Sequence, residues 1–138
     1  MTLLDAYALI AFVVGGPAAP AVRGLLRAGG TAVATANLAE VLDVTERVHG
    51  ITIARTLDVI EPLLSGVLTT IPLDTARAVR AAEIRARHSH RSSRPLSLAD
   101  AVLVASASAG DRIATADPDV LAVVEAEGLA AVALAGQG

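Results

Sequence analysis

The sequence predicts a single α/β domain, a three-layer α/β/α sandwich with a five-stranded, mostly parallel sheet and helices on both faces. Its 138 residues fit one domain. Apolar residues make up 54% of the chain although Tyr7 and Phe12 are its only aromatic residues, so the core must consist of Ala, Leu, Val and Ile. Short β-branched runs alternate with helical segments, which is typical of parallel strands joined by right-handed crossovers.

In the first half of the chain, glycine, asparagine and aspartate residues mark the boundaries of two strands and four helices. The strongest stop signals are Gly29-Gly30, Gly50 and Ser65-Gly66, because glycine favours the end of a helix. The predicted elements are a strand at 1–4, helices at 6–14 and 21–28 around a loop at 15–20, a strand at 31–35, and a helical hairpin at 36–65 whose helices end at His49 and Leu64.

In the second half, three further strands alternate with three helices. The helix predicted after Asp74 carries Ala and Ile on one face and charged residues on the others, and the helix that begins at Leu98 is strongly apolar. The predicted elements are strands at 67–73, 112–116 and 129–134, helices at 74–88, 98–109 and 118–127, and a polar loop at 89–96. We expect one domain at 1–135 and a disordered tail at 136–138.

Two missing residue types exclude several classes of site. The chain has no cysteine, which excludes disulfide scaffolds, zinc ribbons, thiol nucleophiles and iron–sulfur clusters. All eleven basic residues are arginine, so chemistry that needs a lysine amine is excluded as well. The longest uncharged run, between Asp5 and Arg23, contains Gly15, Gly16, Pro17 and Pro20, which predicts neither a membrane span nor a signal peptide. We therefore expect a cytoplasmic protein with no membrane partner.

Four acidic residues follow predicted strands or open predicted helices. Asp5 and Asp117 follow the first and fourth strands, Glu40 lies early in the helix after the second strand, and Asp100 opens the apolar helix. Because ligands of open α/β sheets bind beyond the carboxyl ends of the strands, at least three of these acids belong to one functional edge.

Each acid also has a purely structural interpretation. Asn37-x-x-Glu40 and Ser97-x-x-Asp100 resemble capping boxes, while Asp117-Pro118 resembles an N-cap followed by proline. Asp5 could also cap the helix that follows it. As a group, however, several carboxylates in one crevice repel each other and raise one another's pKa unless a cation lies among them. An all-oxygen ligand set favours a hard cation such as Mg²⁺, with Mn²⁺ as a substitute.

Four short motifs, in this order, resemble those of the PIN-domain ribonucleases, specifically the VapC toxins of type II toxin–antitoxin pairs. They are Leu-Leu-Asp5-Ala-Tyr-Ala-Leu, Asn37-Leu-Ala-Glu40-Val-Leu, Leu96-Ser97-Leu-Ala-Asp100-Ala-Val-Leu-Val-Ala and Ala114-Thr115-Ala-Asp117-Pro-Asp119. The resemblance covers essentially the whole chain. Each motif alone is weak, whereas the ordered set is specific.

The resemblance implies a sheet of order 3-2-1-4-5, in which Asp5 and Asp117 face each other and Glu40 and Asp100 reach in from either side. It further implies a Mg²⁺-dependent endoribonuclease in which Asp5, Asp100 and Asp117 bind metal. Glu40 would be either a ligand or the general base. Thr115 matches a small hydroxyl residue at the rim of the family's site, and Asp119 matches an accessory acid. Asp74, after the outer third strand, would be a plain helix cap.

The same resemblance implies partners: an RNA substrate, a cognate VapB-type antitoxin that alone contacts DNA, and a second copy of the chain in a homodimer. The helical hairpin at 36–65 would help to form the antitoxin groove. One dense basic stretch, which contains Arg87, Arg91 and Arg94, is either a phosphate-binding rim or a solvated helix end that complements the helix dipole. The three histidines are interpreted as surface residues.

Two other functions stay open at this stage. The chain could be a PIN fold kept as a catalytically inactive binding or assembly module, in which case added metal would not change its melting temperature. A phosphotransfer enzyme on a similar sheet is disfavoured by the missing lysine and by the lack of an Asp-x-Asp motif after the first strand.

Overall fold

The computed structural model describes residues 1–89 and 96–136. Parallel pairing joins its five strands in the order β3-β2-β1-β4-β5, which confirms the predicted sheet. The elements of the described chain are β1 (Thr2–Leu4), α1 (Ala6–Val14), α2 (Ala19–Ala28), β2 (Thr31–Ala34), α3 (Thr35–Arg47), α4 (Ile53–Leu64), β3 (Leu68–Ile71), α5 (Thr75–His88), α6 (Leu98–Ala105), β4 (Arg112–Thr115), α7 (Pro118–Ala126) and β5 (Ala130–Ala133).

The sheet separates two apolar clusters, because successive side chains of a strand point to opposite faces. Leu3 packs with α5, α6 and α7 on one face, and Leu4 packs with α1 to α4 on the other. The central strands β1, β2 and β4 are buried almost throughout, as a sheet covered on both faces requires. Small residues such as Ala32 and Ala114 let the helices approach the sheet closely.

Most predicted boundaries agree with the structure to within two residues, and two helices differ instructively. Helix α2 begins at Ala19 rather than at residue 21, because Pro20 occupies its first turn, where no backbone N–H is needed. Helix α6 ends at Ala105 rather than at residue 109. The Ser106 hydroxyl donates to the Val102 carbonyl at 2.7 Å and its N–H is shared between Val102 and Leu103, so the chain turns away there.

Four of the predicted helix caps are confirmed and one is wrong. Asp5, Asp74 and Asp117 each accept a backbone N–H in the first turn of the following helix, at 2.8, 2.9 and 2.8 Å. Ser97 accepts the backbone N–H of Asp100 at 3.0 Å, as its capping box predicts. Helix α3, however, begins before Asn37, and its N-cap Ala34 makes no side-chain bond. Asn37 is therefore a buried residue inside the helix and not its cap.

The histidine prediction is wrong for His88, which is only 4% exposed. Its Nε2 lies 2.7 Å from a carboxylate oxygen of Glu127, so this pair joins the end of α5 to the end of α7.

No single helix of the described chain has the length and apolar character to cross a membrane; α1 and α2 meet that test only as a pair, bent by 106°.

Candidate active site

All four predicted acids line one cleft of about 820 Å³ at the carboxyl edge of the sheet. Asp5 and Asp117 follow the adjacent strands β1 and β4, where the direction of strand order reverses. Glu40 comes from α3 and Asp100 from α6. The topology thus brings together residues that are up to 112 positions apart in the sequence.

Asp5 is the most buried of these acids, with 7% of its surface exposed. One of its carboxylate oxygens accepts the N–H of Ala8, and the carboxylate also accepts a hydrogen bond from the Thr115 side chain. These bonds favour the charged form, yet burial outweighs them and raises the pKa of Asp5 to about 6, with further repulsion from Asp100 and Glu40. Asp5 therefore carries its charge at neutral pH at a substantial energetic cost.

Thr115 forms hydrogen bonds with both Asp5 and Asp117. Its hydroxyl oxygen accepts the backbone N–H of Asp117 at 3.1 Å, while its side chain bonds to the Asp5 carboxylate. The residue is fully buried and is not among those that line the cleft, whereas we expected it at the rim. A buried hydroxyl with both partners in place fixes the position of these two acids relative to each other.

Glu40 on α3 and Asp100 on α6 both line the cleft, and they interact through their charges. Burial is the main cause that raises the pKa of each, and the Asp100 charge raises the pKa of Glu40 further. Asp117 and Asp119 in turn raise the pKa of Asp100. Asp100 is therefore the one acid of this group that has a charge interaction with each of the others.

The donor set fits a hard divalent cation in its chemistry. It consists of carboxylate oxygens only, with no sulfur and no imidazole among the four acids. In the part of the chain that the structure describes, however, no three His, Asp or Glu side chains are already close enough to form a metal site.

Sequence reasoning missed the apolar wall of the cleft, which is formed by Tyr7, Ile10, Val44 and Val48 and ends at the exposed His49. A helical spacing could have found part of it, because Asn37, Glu40, Val44 and Val48 follow the three- and four-residue steps of one helix face. Gly136 also lines the cleft, although it belongs to the predicted tail.

Of the predicted RNA-binding arginines, the structure describes only Arg87, which is not among the residues that line the cleft. Arg87 forms an ion pair with Glu127 at 2.8 Å. Glu127 follows the last turn of α7, whereas Asp117 caps its first turn, and nine helical residues separate them by about 14 Å at 1.5 Å per residue. Arg91 and Arg94 lie outside the described residues, so their RNA contact stays a prediction.

Comparison with known proteins places this arrangement in a family. The PIN-domain family model matches residues 2–126. The structure of FitAB bound to an IR36 DNA fragment is similar over 96% of this chain and 94% of that chain, at 20% identity and a TM-score of 0.70. FitAcB from Neisseria gonorrhoeae is similar over 95% and 96%, at 21% identity and a TM-score of 0.67. No curated protein matches by sequence. The fold, the strand order and the family match together show that the chain belongs to the PIN-domain family.

Proposed function

We propose that the chain is a Mg²⁺-dependent endoribonuclease and the toxin of a VapBC-type toxin–antitoxin pair. The observation that carries this proposal is the convergence of four carboxylates, from four separate segments, in one cleft at the switch point of the sheet. PIN domains are generally nucleases. RNA as the substrate and the role of toxin rest on the four motifs that resemble VapC toxins.

In this proposal Asp5, Asp100 and Asp117 hold the cation, Asp119 is an accessory ligand, and Mn²⁺ substitutes for Mg²⁺. The bound ion would supply an activated water and neutralise charge on the scissile phosphate. Asp5 suits the role of a ligand because Thr115 and the Ala8 N–H fix its orientation, while no basic side chain of the described residues contributes to its pKa. A bound cation would relieve the cost of burying that charge.

Glu40 either serves as a further ligand of the cation or orients the attacking water and accepts its proton. Its pKa is raised from the usual value by burial and by the Asp100 charge, which makes it a better proton acceptor than an exposed glutamate. If water attacks the phosphorus and the 3′ oxygen leaves, the products carry a 5′-phosphate and a 3′-hydroxyl, as the family resemblance implies.

The RNA strand requires contacts outside the acids. The apolar wall of Tyr7, Ile10, Val44 and Val48 offers a surface for a sugar or a base, and the arginines at positions 87, 91 and 94 are proposed to bind phosphate. We further propose a VapB-type antitoxin and a second copy of the chain as protein partners. The FitAB structure contains a DNA fragment; here we propose that DNA contact belongs to the antitoxin alone.

The proposal is tested by cleavage of a mixed RNA pool with the Asp5→Asn variant. This change removes one charge and little volume, and asparagine caps a helix as well as aspartate does. We expect the fold to be kept, as judged by circular dichroism, and cleavage to fall at least about 100-fold, since several kcal/mol of charge stabilisation are lost.

The matched control is Asp74→Asn, which changes another helix-capping aspartate that does not line the cleft. It should cleave as the wild type does. Substantial activity in a well-folded Asp5→Asn protein would contradict the assignment. If wild-type protein cleaves no RNA and Mn²⁺ leaves its melting temperature unchanged, the catalytically inactive binding module is the better description. Sequencing of RNA ends after brief expression would identify the target.

A further inference from the structure

Asn37 is a buried polar residue that the proposed chemistry leaves without a role. It is 1% exposed, and its Oδ1 is the one buried side-chain atom of the described residues that lacks a hydrogen-bond partner. An unpaired buried acceptor is costly, so a residue that keeps one requires an explanation.

The hydrogen bonds of the Asn37 amide nitrogen explain why its Oδ1 has no partner. Its Nδ2 donates to the Ala99 carbonyl at 3.2 Å, and its side chain also bonds to the Glu40 carboxylate. A carboxylate only accepts, so the amide nitrogen is the donor in both bonds. Rotating the amide by 180° would place Oδ1 against two acceptors. Both N–H groups are therefore used, and the orphaned Oδ1 is the consequence.

These two bonds connect the Glu40 carboxylate, through the Asn37 amide, to the helix that carries Asp100. Glu40 lies three residues after Asn37 on α3, and Ala99 immediately precedes Asp100 on α6. The Ala99 carbonyl lies inside α6, where a helical N–H can satisfy it without Asn37. The amide is thus not needed to complete α6, and what it adds is a fixed position of the Glu40 carboxylate relative to the segment that carries Asp100.

We propose that Asn37 is a positioning residue, which holds Glu40 against the Asp100-bearing helix so that both carboxylates can serve one divalent cation. This inference rests on the proposed function. Charge repulsion between Glu40 and Asp100 favours separation of these two carboxylates, and the amide bridge between α3 and α6 opposes it. Groups that orient carboxylate ligands typically change metal affinity or activity by about 10- to 100-fold when they are removed.

The test compares Asn37→Leu with Thr45→Val. Leucine keeps the branched shape of asparagine, although its two methyl groups are larger, and it removes both donors together with the orphaned acceptor. Thr45 is the matched control because it is also a buried polar residue of α3; its hydroxyl lies 3.0 Å from that of Thr56 on α4, away from the cleft. Binding of Mn²⁺ is measured from the electron paramagnetic resonance signal of the free ion, and melting temperature is measured in EDTA.

We expect Asn37→Leu to melt no lower than the wild type and to bind Mn²⁺ about tenfold or more weakly. Thr45→Val should melt lower and bind Mn²⁺ as the wild type does. Asn37→Ser, which is too short to reach both partners, should show the same loss of affinity and serves if the leucine variant does not fold. Wild-type affinity in the Asn37 variants, or an equal loss in Thr45→Val, would overturn the proposal.

The Mn²⁺ measurement separates this inference from the proposed function. If wild-type protein binds Mn²⁺ and the Asn37 variants do not, yet no RNA is cleaved, the positioning role stands and the ribonuclease proposal fails. If RNA is cleaved and the Asn37 variants bind and cleave normally, the reverse holds. A wild-type chain that binds no Mn²⁺ contradicts both.

Discussion

Asp5 and Asp117 act as helix caps and line the cleft at the same time. In each case one carboxylate oxygen accepts a backbone N–H at 2.8 Å. Capping alone does not require a charge, because serine, threonine and asparagine cap a helix about equally well. At Asp5 a buried charge is moreover costly. Capping and ligand binding are therefore compatible interpretations of these acids, and the charge is the part that capping leaves unexplained.

Replacement of Asp5 by asparagine should stabilise the metal-free protein at neutral pH. Its folded pKa of about 6 lies above the ordinary value of 3.8, so the ionised form destabilises the fold. That penalty develops as pH rises from about 4 to 6 and reaches about 3 kcal/mol above pH 6, since one pKa unit corresponds to 1.36 kcal/mol. Asparagine does not ionise and avoids it.

Urea unfolding in EDTA at pH 4.5 and pH 7.5 measures this effect. Asp5→Asn should exceed the wild type in unfolding free energy at pH 7.5, by up to about 3 kcal/mol, and by clearly less at pH 4.5. Asp74→Asn, at an exposed helix cap, serves as the control and should not gain stability over the wild type at pH 7.5. An Asp5→Asn protein that is less stable than the wild type at pH 7.5 would contradict the origin assigned to this pKa.

At the scale of elements, local signals predicted the strands well and tertiary contacts decided the rest. Glycine residues located the start of β2 and the end of α4, because such signals act within a few residues. The role of Asn37 could not be predicted, since its partner Ala99 lies 62 positions away. The motif around Asp100 identified it as a site residue, whereas its charge interaction with Glu40 depends on how α3 and α6 pack.

The predicted role of the arginines at and after the end of α5 in RNA binding can be tested by mutation. Changing Arg87, Arg91 and Arg94 together to alanine should weaken RNA binding and flatten the slope of log K against log salt by up to about 3 units, near one for each lost phosphate contact. Arg87 engages Glu127 in the structure, so a phosphate must compete with that carboxylate.

The single variant Arg87→Ala is the comparison that this ion pair suggests. If Arg87 contacts RNA, its removal alone should flatten the slope by about 1 unit. An unchanged slope and unchanged affinity in the triple variant would return the whole segment to a structural role, in which basic side chains complement the C-terminal end of α5.

For the whole molecule, the parallel sheet is what turns separate acids into a site. Every strand ends at the same edge, and the order β3-β2-β1-β4-β5 makes β1 and β4 neighbours. The composition predicted this architecture because a core of Ala, Val, Leu and Ile suits a sheet covered on both faces. What composition could not predict is the cost: three carboxylates in the cleft have pKa values raised by burial and mutual repulsion.

Metal binding should offset the repulsion among these carboxylates and so stabilise the folded protein. In differential scanning fluorimetry, Mn²⁺ should raise the wild-type melting temperature in a concentration-dependent way, because an ion that binds only the folded state adds about 2.7 kcal/mol at 100 times its Kd. The response should be smaller at pH 5 than at pH 8. As pH falls through about 6, Asp5 binds a proton that competes with the ion.

Asp100→Asn provides the sharpest test of this account, because Asp100 interacts with every other acid of the group. The Ser97 cap bonds to the backbone N–H of residue 100, which asparagine retains, so little capping is lost. We therefore expect the variant to melt higher than the wild type in EDTA and to respond less to Mn²⁺. A variant that melts lower in EDTA and responds to Mn²⁺ as the wild type does would leave Asp100 with a role in the helix terminus alone.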